Sequence, residues 1–225
     1  MDFQLREKEI FETLKKIKKF KFVVVGGYAV NAYTLPRFSI DCDIVVANQE
    51  DLEPIEEQLI KFGYNESKNK SEVPYNGNFK RYEKEISKGF MVSMDILIGE
   101  VLDRQTDSTF SADWIFENSS IRSLRGKTIT DDLKLRIINL DALFVMKLIS
   151  CRSTDIRDVF LLVSNIKDSH WIREEVIKRY SLENRLKKLE KAITSKQFKD
   201  GLQGVFGIVD DRIFERNKNL ISDLF

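Results

Sequence analysis

Phe3, Ile10, Phe11, Leu14 and Ile17 recur at helical spacing, which predicts an amphipathic helix over residues 3–19. Residues 21–25 read as a short apolar strand that runs into Gly26-Gly27. A helix is expected over residues 28–35, stopped before Pro36 because the residue preceding proline avoids the helical region. Residues 40–46 read as a second strand. Residues 51–62 read as a helix with Leu52, Ile55, Leu59 and Phe62 on one face. The polar stretch 63–78 reads as a long loop. Residues 79–86 and 90–98 read as two strands joined at Ser87-Lys88-Gly89, a hairpin. Two more short strands are expected over 121–124 and 127–129.

From Asp141 onward the period changes to that of helices. Leu143, Phe144, Met146 and Leu148 mark one, and Ile156, Val159, Phe160, Leu162 and Val163 mark the next. Further helices are expected over 171–180, 182–193 and 196–205. Strands mixed with helices, then helices alone, predict an α+β fold: a small mixed sheet flanked by helices, followed by a C-terminal helical region. The expected domains are 1–138 and 139–225.

Composition narrows the chemistry. The chain has 225 residues, 42% hydrophobic and 32% charged, as expected of a folded chain rather than a disordered one. A formal net charge of +1 gives no general support for a nucleic-acid partner. No apolar run approaches the about 20 residues of a membrane span, and the N-terminal residues lack the layout of a signal peptide. Cys42 and Cys151 supply neither a disulfide framework nor zinc spacing, so a cytoplasmic location is the expectation. His170 is the single histidine, which excludes a His-rich zinc site, and its place after Lys167-Asp168-Ser169 reads as a helix entry. Catalysis must rest on carboxylates, lysines and backbone.

The carboxylates are suggestively placed. Asp41 and Asp43 lie two apart on a strand and so share a face, with Ile40, Cys42 and Ile44 on the other. Asp95 sits inside the apolar run Met91-Val92-Ser93-Met94-Asp95-Ile96-Leu97. Charge buried in a strand is costly unless it is paired or binds metal. Adjacent carboxylates relieve their repulsion on a divalent cation, and Mg²⁺ suits oxygen ligands. A third carboxylate would complete a site for two ions about 3.5–4 Å apart. Gly26-Gly27 permits close approach of backbone to a ligand. It is not a dinucleotide fingerprint, lacking a third glycine, and not a P-loop, lacking Gly-Lys-Ser/Thr. Taken singly, the glycines read as a turn, Asp-x-Asp as a solvated face, and Asp95 as a buried acid paired with a lysine. Together they point to metal-dependent chemistry on a nucleotide.

Gly26-Gly27-Tyr28-Ala29, with Arg37-Phe38-Ser39-Ile40-Asp41-Cys42-Asp43, resembles the signature of the DNA polymerase β-like nucleotidyltransferase superfamily. It is most similar to the minimal prokaryotic branch that contains the AbiEii-type toxins. Ser39 replaces the usual threonine. Lys147-Leu148-Ile149-Ser150-Cys151-Arg152 and Asp155-Ile156-Arg157-Asp158 resemble a later motif of that branch, with Thr154 where a lysine is common. The resemblance covers residues 20–165 and implies a nucleotidyltransferase fold whose helical domain completes the nucleotide and acceptor site.

What the resemblance implies is specific. Asp41, Asp43 and Asp95 would be catalytic and would bind metal, two Mg²⁺ ions or Mn²⁺ in their place. Asp95 would also be the candidate base. Gly26 and Gly27 would hold phosphates, with Ser39 beside them. Lys147 would be a point charge for the triphosphate, and Asp155 or Asp158 would orient it or contact the base. Arg37 is open between a phosphate clamp and an ion pair with a strand carboxylate. The implied reaction moves NMP from an NTP to a hydroxyl of tRNA or of a protein, as the toxin of a toxin–antitoxin or phage-defence pair with an antitoxin partner and no membrane. A small-molecule acceptor, as in antibiotic-modifying enzymes, and an inactive binding module are the alternatives. Lys178 to Lys199 carries eight basic and two acidic residues, and Lys15, Lys16, Lys18, Lys19 and Lys21 form a second cluster. Either could follow an RNA backbone or be a solvated helix face. Tyr64, Tyr75, Phe79 and Tyr82 flank the polar loop, as base-stacking or core residues.

Overall fold

The computed structural model describes residues 2–67, 78–207 and 209–224. Tyr75 and most of the expected 63–78 loop, with its suggested closure over substrate, lie outside the described residues. The chain forms two compact units. The first comprises 1–32, 38–102 and 109–138; the second comprises 33–37, 103–108 and 139–225.

Among the described residues, unit 1 is built on a mixed sheet of seven strands, ordered β3-β4-β5-β2-β1-β9-β8. Its elements are α1 (Asp2–Ile17), β1 (Val23–Val24), α2 (Gly26–Val30), β2 (Asp41–Val46), α3 (Gln49–Lys61), β3 (Asn65–Glu66), β4 (Phe79–Ser87) and β5 (Phe90–Ile98). Then follow β6 (Glu100–Leu102), β7 (Thr109–Ser111), α4 (Ala112–Glu117), β8 (Ser119–Leu124) and β9 (Leu133–Ile138). β6 and β7 pair apart from the main sheet. Cys42, Ile44, Tyr82, Met94 and Ile96 are fully buried in the sheet, and Ile10, Phe11, Leu14, Leu52, Ile55 and Leu59 come from α1 and α3. This pattern is what the helical spacing of the sequence demands: each helix presents one apolar stripe.

β2 and β5 are parallel neighbours, with Asp41 opposite Ser93 and Asp43 opposite Asp95. β4 and β5 form the expected hairpin, antiparallel, with Arg81 opposite Asp95 and Tyr82 opposite Met94. A bulge between Glu85 and Ser87 shifts their register.

Four expectations for unit 1 need correction. The helix expected over 28–35 is instead α2, which begins on the glycines and ends at Val30, five residues later. The strand expected over 127–129 is not formed; β9 lies further on, at Leu133–Ile138. The reason is a contact distant in sequence. The Lys127 and Thr128 amides donate to the Glu7 carboxylate at 2.6 and 2.8 Å, so they are not available to a ladder. Leu133, Leu135 and Ile137 alternate into the core instead. Within the expected 63–78 loop, Asn65 and Glu66 pair with Glu83 and Tyr82 as an edge strand. Ile40 precedes β2 rather than joining it, and is exposed.

Unit 2 is helical: α5 (Leu140–Ser150), α6 (Ser153–Leu162), a 3-10 turn (Val163–Asn165), α7 (Ser169–Ile177), α8 (Leu182–Ile193), α9 (Lys196–Phe206) and α10 (Asp211–Asp223). Side-chain caps start several of them: Asp168 accepts from the Trp171 amide, Ser181 from Asn184 and Ser195 from Phe198. Phe160, Phe198 and Phe214 form an aromatic cluster with ring centroids 5.0–6.4 Å apart. The inserted pieces are tied in, as Asn165 Nδ2 donates to the Tyr33 carbonyl at 3.3 Å and Ser108 Oγ to that of Arg179 at 3.1 Å. His170 is the second residue of α7 and is exposed, as its sequence context implied. Among the described residues, no helix is long and apolar enough to cross a membrane.

Candidate functional site

The acids of unit 1 converge because of strand geometry. Asp41 and Asp43 are two apart on β2, so their side chains share a face. Asp43 stands opposite Asp95 in the parallel pair, and directly opposed residues also share a face. Asp41, Asp43 and Asp95 therefore project from the same side of the sheet. Asp41 and Asp43 are partly exposed, whereas Asp95 is 5% exposed.

Gly26 explains why a glycine opens α2. Its φ is +64°, and a Cβ there would lie 1.9 Å from Asp43 Oδ2. The backbone at Gly26 thus passes directly against the Asp43 carboxylate, and the Val25 amide donates to the Asp43 carbonyl at 3.0 Å. No L side chain fits both constraints. Gly27 is buried one residue further into α2, and Ser39 is half-buried in the segment before β2.

A residue the sequence reading missed completes the arrangement. Arg81 donates from Nε to Asp95 Oδ1 at 2.8 Å and from Nη2 to Oδ2 at 2.6 Å. The same Nη2 lies 3.7 Å from Asp41 Oδ2. This forked geometry is the strong form of an arginine–carboxylate pair. Burial pushes the Asp95 carboxyl up from its ordinary value while Arg81 pulls it down, and the net direction is upward. Asp95 is thus a buried acid paired with an arginine, not with the lysine that the simplest reading of its strand suggested. Its partner is visible only once the hairpin register is known.

In unit 2, Arg37, Lys147, Asp155 and Asp158 come together. Lys147 Nζ donates to Asp155 Oδ1 at 2.7 Å and lies 3.1 Å from Asp158 Oδ2. Arg37 forks onto Asp158, Nε to Oδ1 at 3.0 Å and Nη2 to Oδ2 at 2.8 Å. Its carboxylate partner is therefore on a helix, α6, rather than on a strand. Asp155 also accepts from Ser150 Oγ at 2.8 Å and Arg152 Nε at 2.7 Å. Burial by itself would raise the Asp155 carboxyl, but Lys147 and Arg152 outweigh it and hold the group at about 2. Burial would lower the Lys147 ammonium, but Asp158 and Asp155 outweigh it and push it up. Both acids and the lysine are buried. The sequence motif that spaces Lys147, Asp155 and Asp158 thus places alternating charges in one compact network.

Two of the described flanking aromatics belong to the core rather than to a base-stacking surface. Tyr64 and Tyr82 are fully buried, the first hydrogen-bonded to Thr13 Oγ1 at 3.0 Å and the second donating to Glu56. Phe79 is half-buried. A cleft of about 380 Å³ opens at the carboxyl ends of β2 and β5, lined in part by Ala47, Asn48, Phe79, Lys80 and Gly99, and none of the acids lines it. Much of the basic run on α7–α9 is engaged locally. Arg185 is buried with its Cζ 4.4 Å from the Tyr180 ring centre, Lys187 pairs with Glu183 at 2.6 Å and Lys199 with Asp211 at 2.7 Å.

The chain matches the family described as "Nucleotidyl transferase AbiEii toxin, Type IV TA system" over residues 13–215. No curated protein matches it in sequence. Among solved structures it resembles the lincosamide antibiotic adenylyltransferase LnuA in its lincomycin-bound form, at 19% identity and a TM-score of 0.50, over 71% of this chain and 98% of that one. It also resembles a nucleotidyltransferase of H. pylori, at 15% identity and a TM-score of 0.52, over 97% of this chain and 91% of that one. At these identities the likeness concerns the fold.

Proposed function

Because the chain belongs to the AbiEii nucleotidyl transferase toxin family of type IV toxin–antitoxin systems, we propose that it transfers a nucleoside monophosphate from a nucleoside triphosphate to a hydroxyl of tRNA or of a protein. The observation that carries this reading is the register of β2 on β5, which sets Asp43 beside Asp95 with Asp41 on the same face.

The donor set fits a divalent cation in its chemistry: all three side chains offer hard oxygen atoms, the kind Mg²⁺ takes. Among the described residues, no three His, Cys, Asp or Glu side chains stand close enough to close on an ion as they are. Both oxygens of Asp95 are held by Arg81. Asp41, Asp43 and, once released, Asp95 are the residues that would hold Mg²⁺ or Mn²⁺. When bound, the ion would neutralise phosphate charge and activate the acceptor oxygen.

The chain's own groups then have separable roles. The acceptor oxygen forms a bond to the α-phosphorus as the bond to the bridging oxygen of the β-phosphate breaks. Pyrophosphate leaves with that electron pair, and the hydroxyl proton goes to Asp95, the candidate base on the acidic face. Gly26 keeps the backbone slim beside Asp43, where phosphate oxygens would approach, and Gly27 is assigned to phosphate binding with it. Ser39, Arg37, Lys147, Asp155 and Asp158 are assigned to nucleotide binding, and a neutralising antitoxin protein is the partner that toxin membership calls for.

The test is transfer of label from each of the four α-labelled NTPs, with Mg²⁺, into total tRNA and into protein. The control is the Asp41→Ala/Asp43→Ala chain. Label in either fraction, absent from the control, establishes the reaction and names its acceptor class. No label, with NTP still bound, points to a small-molecule acceptor, and no NTP binding points to an inactive module.

A further inference from the structure

Arg81 is brought to the acidic face by the register of the β4–β5 hairpin. It sits on β4 directly across from Asp95, with its guanidinium carbon 5.9 Å from the Phe79 ring centre. Its fork uses both oxygens of Asp95, and its Nη2 reaches to 3.7 Å from Asp41. Two of the three acids therefore share one resident cation. The two partners differ in how freely they can move apart. The Arg81 side chain is 39% exposed and Asp95 only 7%. A guanidinium leaving this pair enters water, whereas Asp95 stays in the sheet and must find another cation.

We propose that Arg81 is a positioning residue that competes with the divalent ion for Asp95 and so sets the metal concentration at which the acidic face loads. The inference rests on the metal-dependent reading above. With no ion, the fork holds Asp95 in place and compensates its charge. With an ion, the ion takes over that compensation and Arg81 withdraws. Loading is thus an exchange of one cation for another, and breaking the fork is subtracted from the intrinsic affinity of the carboxylates. A glutamine at this position removes the charge while keeping most of the side chain's length. A lysine keeps the charge but loses the fork, because an ammonium is a point donor.

The test is a Mn²⁺ titration of the full chain without nucleotide, at fixed low ionic strength, read by electron paramagnetic resonance of the free ion. It compares the parent protein, Arg81→Gln, Arg81→Lys and Asp41→Asn. Arg81→Gln is expected to bind Mn²⁺ at least about tenfold more tightly than the parent, Arg81→Lys to fall between, and Asp41→Asn to bind more weakly. A purely structural role for Arg81 predicts the opposite direction, since a disordered Asp95 would weaken binding. If Asp41→Asn weakens binding but neither Arg81 variant tightens it, the competition is overturned and the metal reading survives. If neither the parent nor the Arg81 variants take up Mn²⁺, both fall together. Should Arg81→Gln fail to fold, Arg81→Lys retains the cation and must still tighten binding for the proposal to stand.

Discussion

Gly26 and Asp43 share a space that only one of them can fill: a Cβ on Gly26 would lie 1.9 Å from Asp43 Oδ2. The left-handed backbone at Gly26, φ +64°, adds its own cost for any other residue. Gly26→Ala is therefore expected to lose about 1–2 kcal/mol from backbone strain, before the displacement of Asp43 is counted. A carboxylate moved by an ångström costs on the order of 100-fold in rate. Denaturant midpoints and NMP transfer, measured side by side, check both halves; unchanged transfer would mean that Asp43 is not held by this contact.

Asp155 makes stability depend on pH in a defined direction. Its folded-state value is about 2, below the ordinary 3.8, so it stabilises the fold above about pH 4. That contribution is lost as pH falls from about 4 through 2, and it amounts to about 2 kcal/mol for a shift of this size. Urea unfolding at pH 6 and pH 2.5 should show a steeper acid loss for the parent chain than for Asp155→Asn. Equal slopes would dissociate Asp155 from the acid limb.

Lys147 is enclosed by Asp155 at 2.7 Å and Asp158 at 3.1 Å. Removing one partner of a buried network leaves uncompensated charge, so Lys147→Met is expected to destabilise the chain by about 3–5 kcal/mol. Calorimetry measures this. A loss under about 1 kcal/mol would mean that Arg37 and Arg152 suffice for both acids.

Glu7 of α1 is 1% exposed and accepts from the Lys127 amide at 2.6 Å and from the Thr128 amide and hydroxyl at 2.8 and 2.6 Å. Glu7→Gln removes the charge and one acceptor, with an expected cost of about 2 kcal/mol. Amide hydrogen exchange at Lys127 and Thr128 should accelerate with it; exchange that stays slow would assign their protection elsewhere.

The acids and the helical motif were legible because their signals are local. Asp41 and Asp43 share a face by spacing alone, and Lys147, Asp155 and Asp158 lie in a short motif that resembles the family's. β9 was misplaced because Lys127 to Ile129 looks like a strand, and only the distant Glu7 carboxylate explains why its amides are taken. α10 was missed because it is mainly polar, with Phe214, Asn217 and Ile221 as its buried residues. Arg81 was not legible for a different reason. Counting back from the Ser87–Phe90 pair without the bulge sets Tyr82, not Arg81, against Asp95. Tyr64 and Tyr82 looked available beside a polar loop, yet each hydroxyl is bonded to a helix side chain from earlier in the sequence, Thr13 and Glu56.

The bulge between Glu85 and Ser87 works as a frame correction for the hairpin. Upstream of it, residues 79–85 of β4 are read against β5 in one phase. One residue inserted after Tyr82 would bring the tyrosine opposite Asp95 and send Arg81 opposite Ile96, which is fully buried. One residue removed from 83–85 would bring Lys80 opposite Asp95 instead. This strand can therefore exchange side chains over evolutionary time far more readily than it can change length, because a single-residue slip would replace the cation on Asp95 and drive a charge into the core.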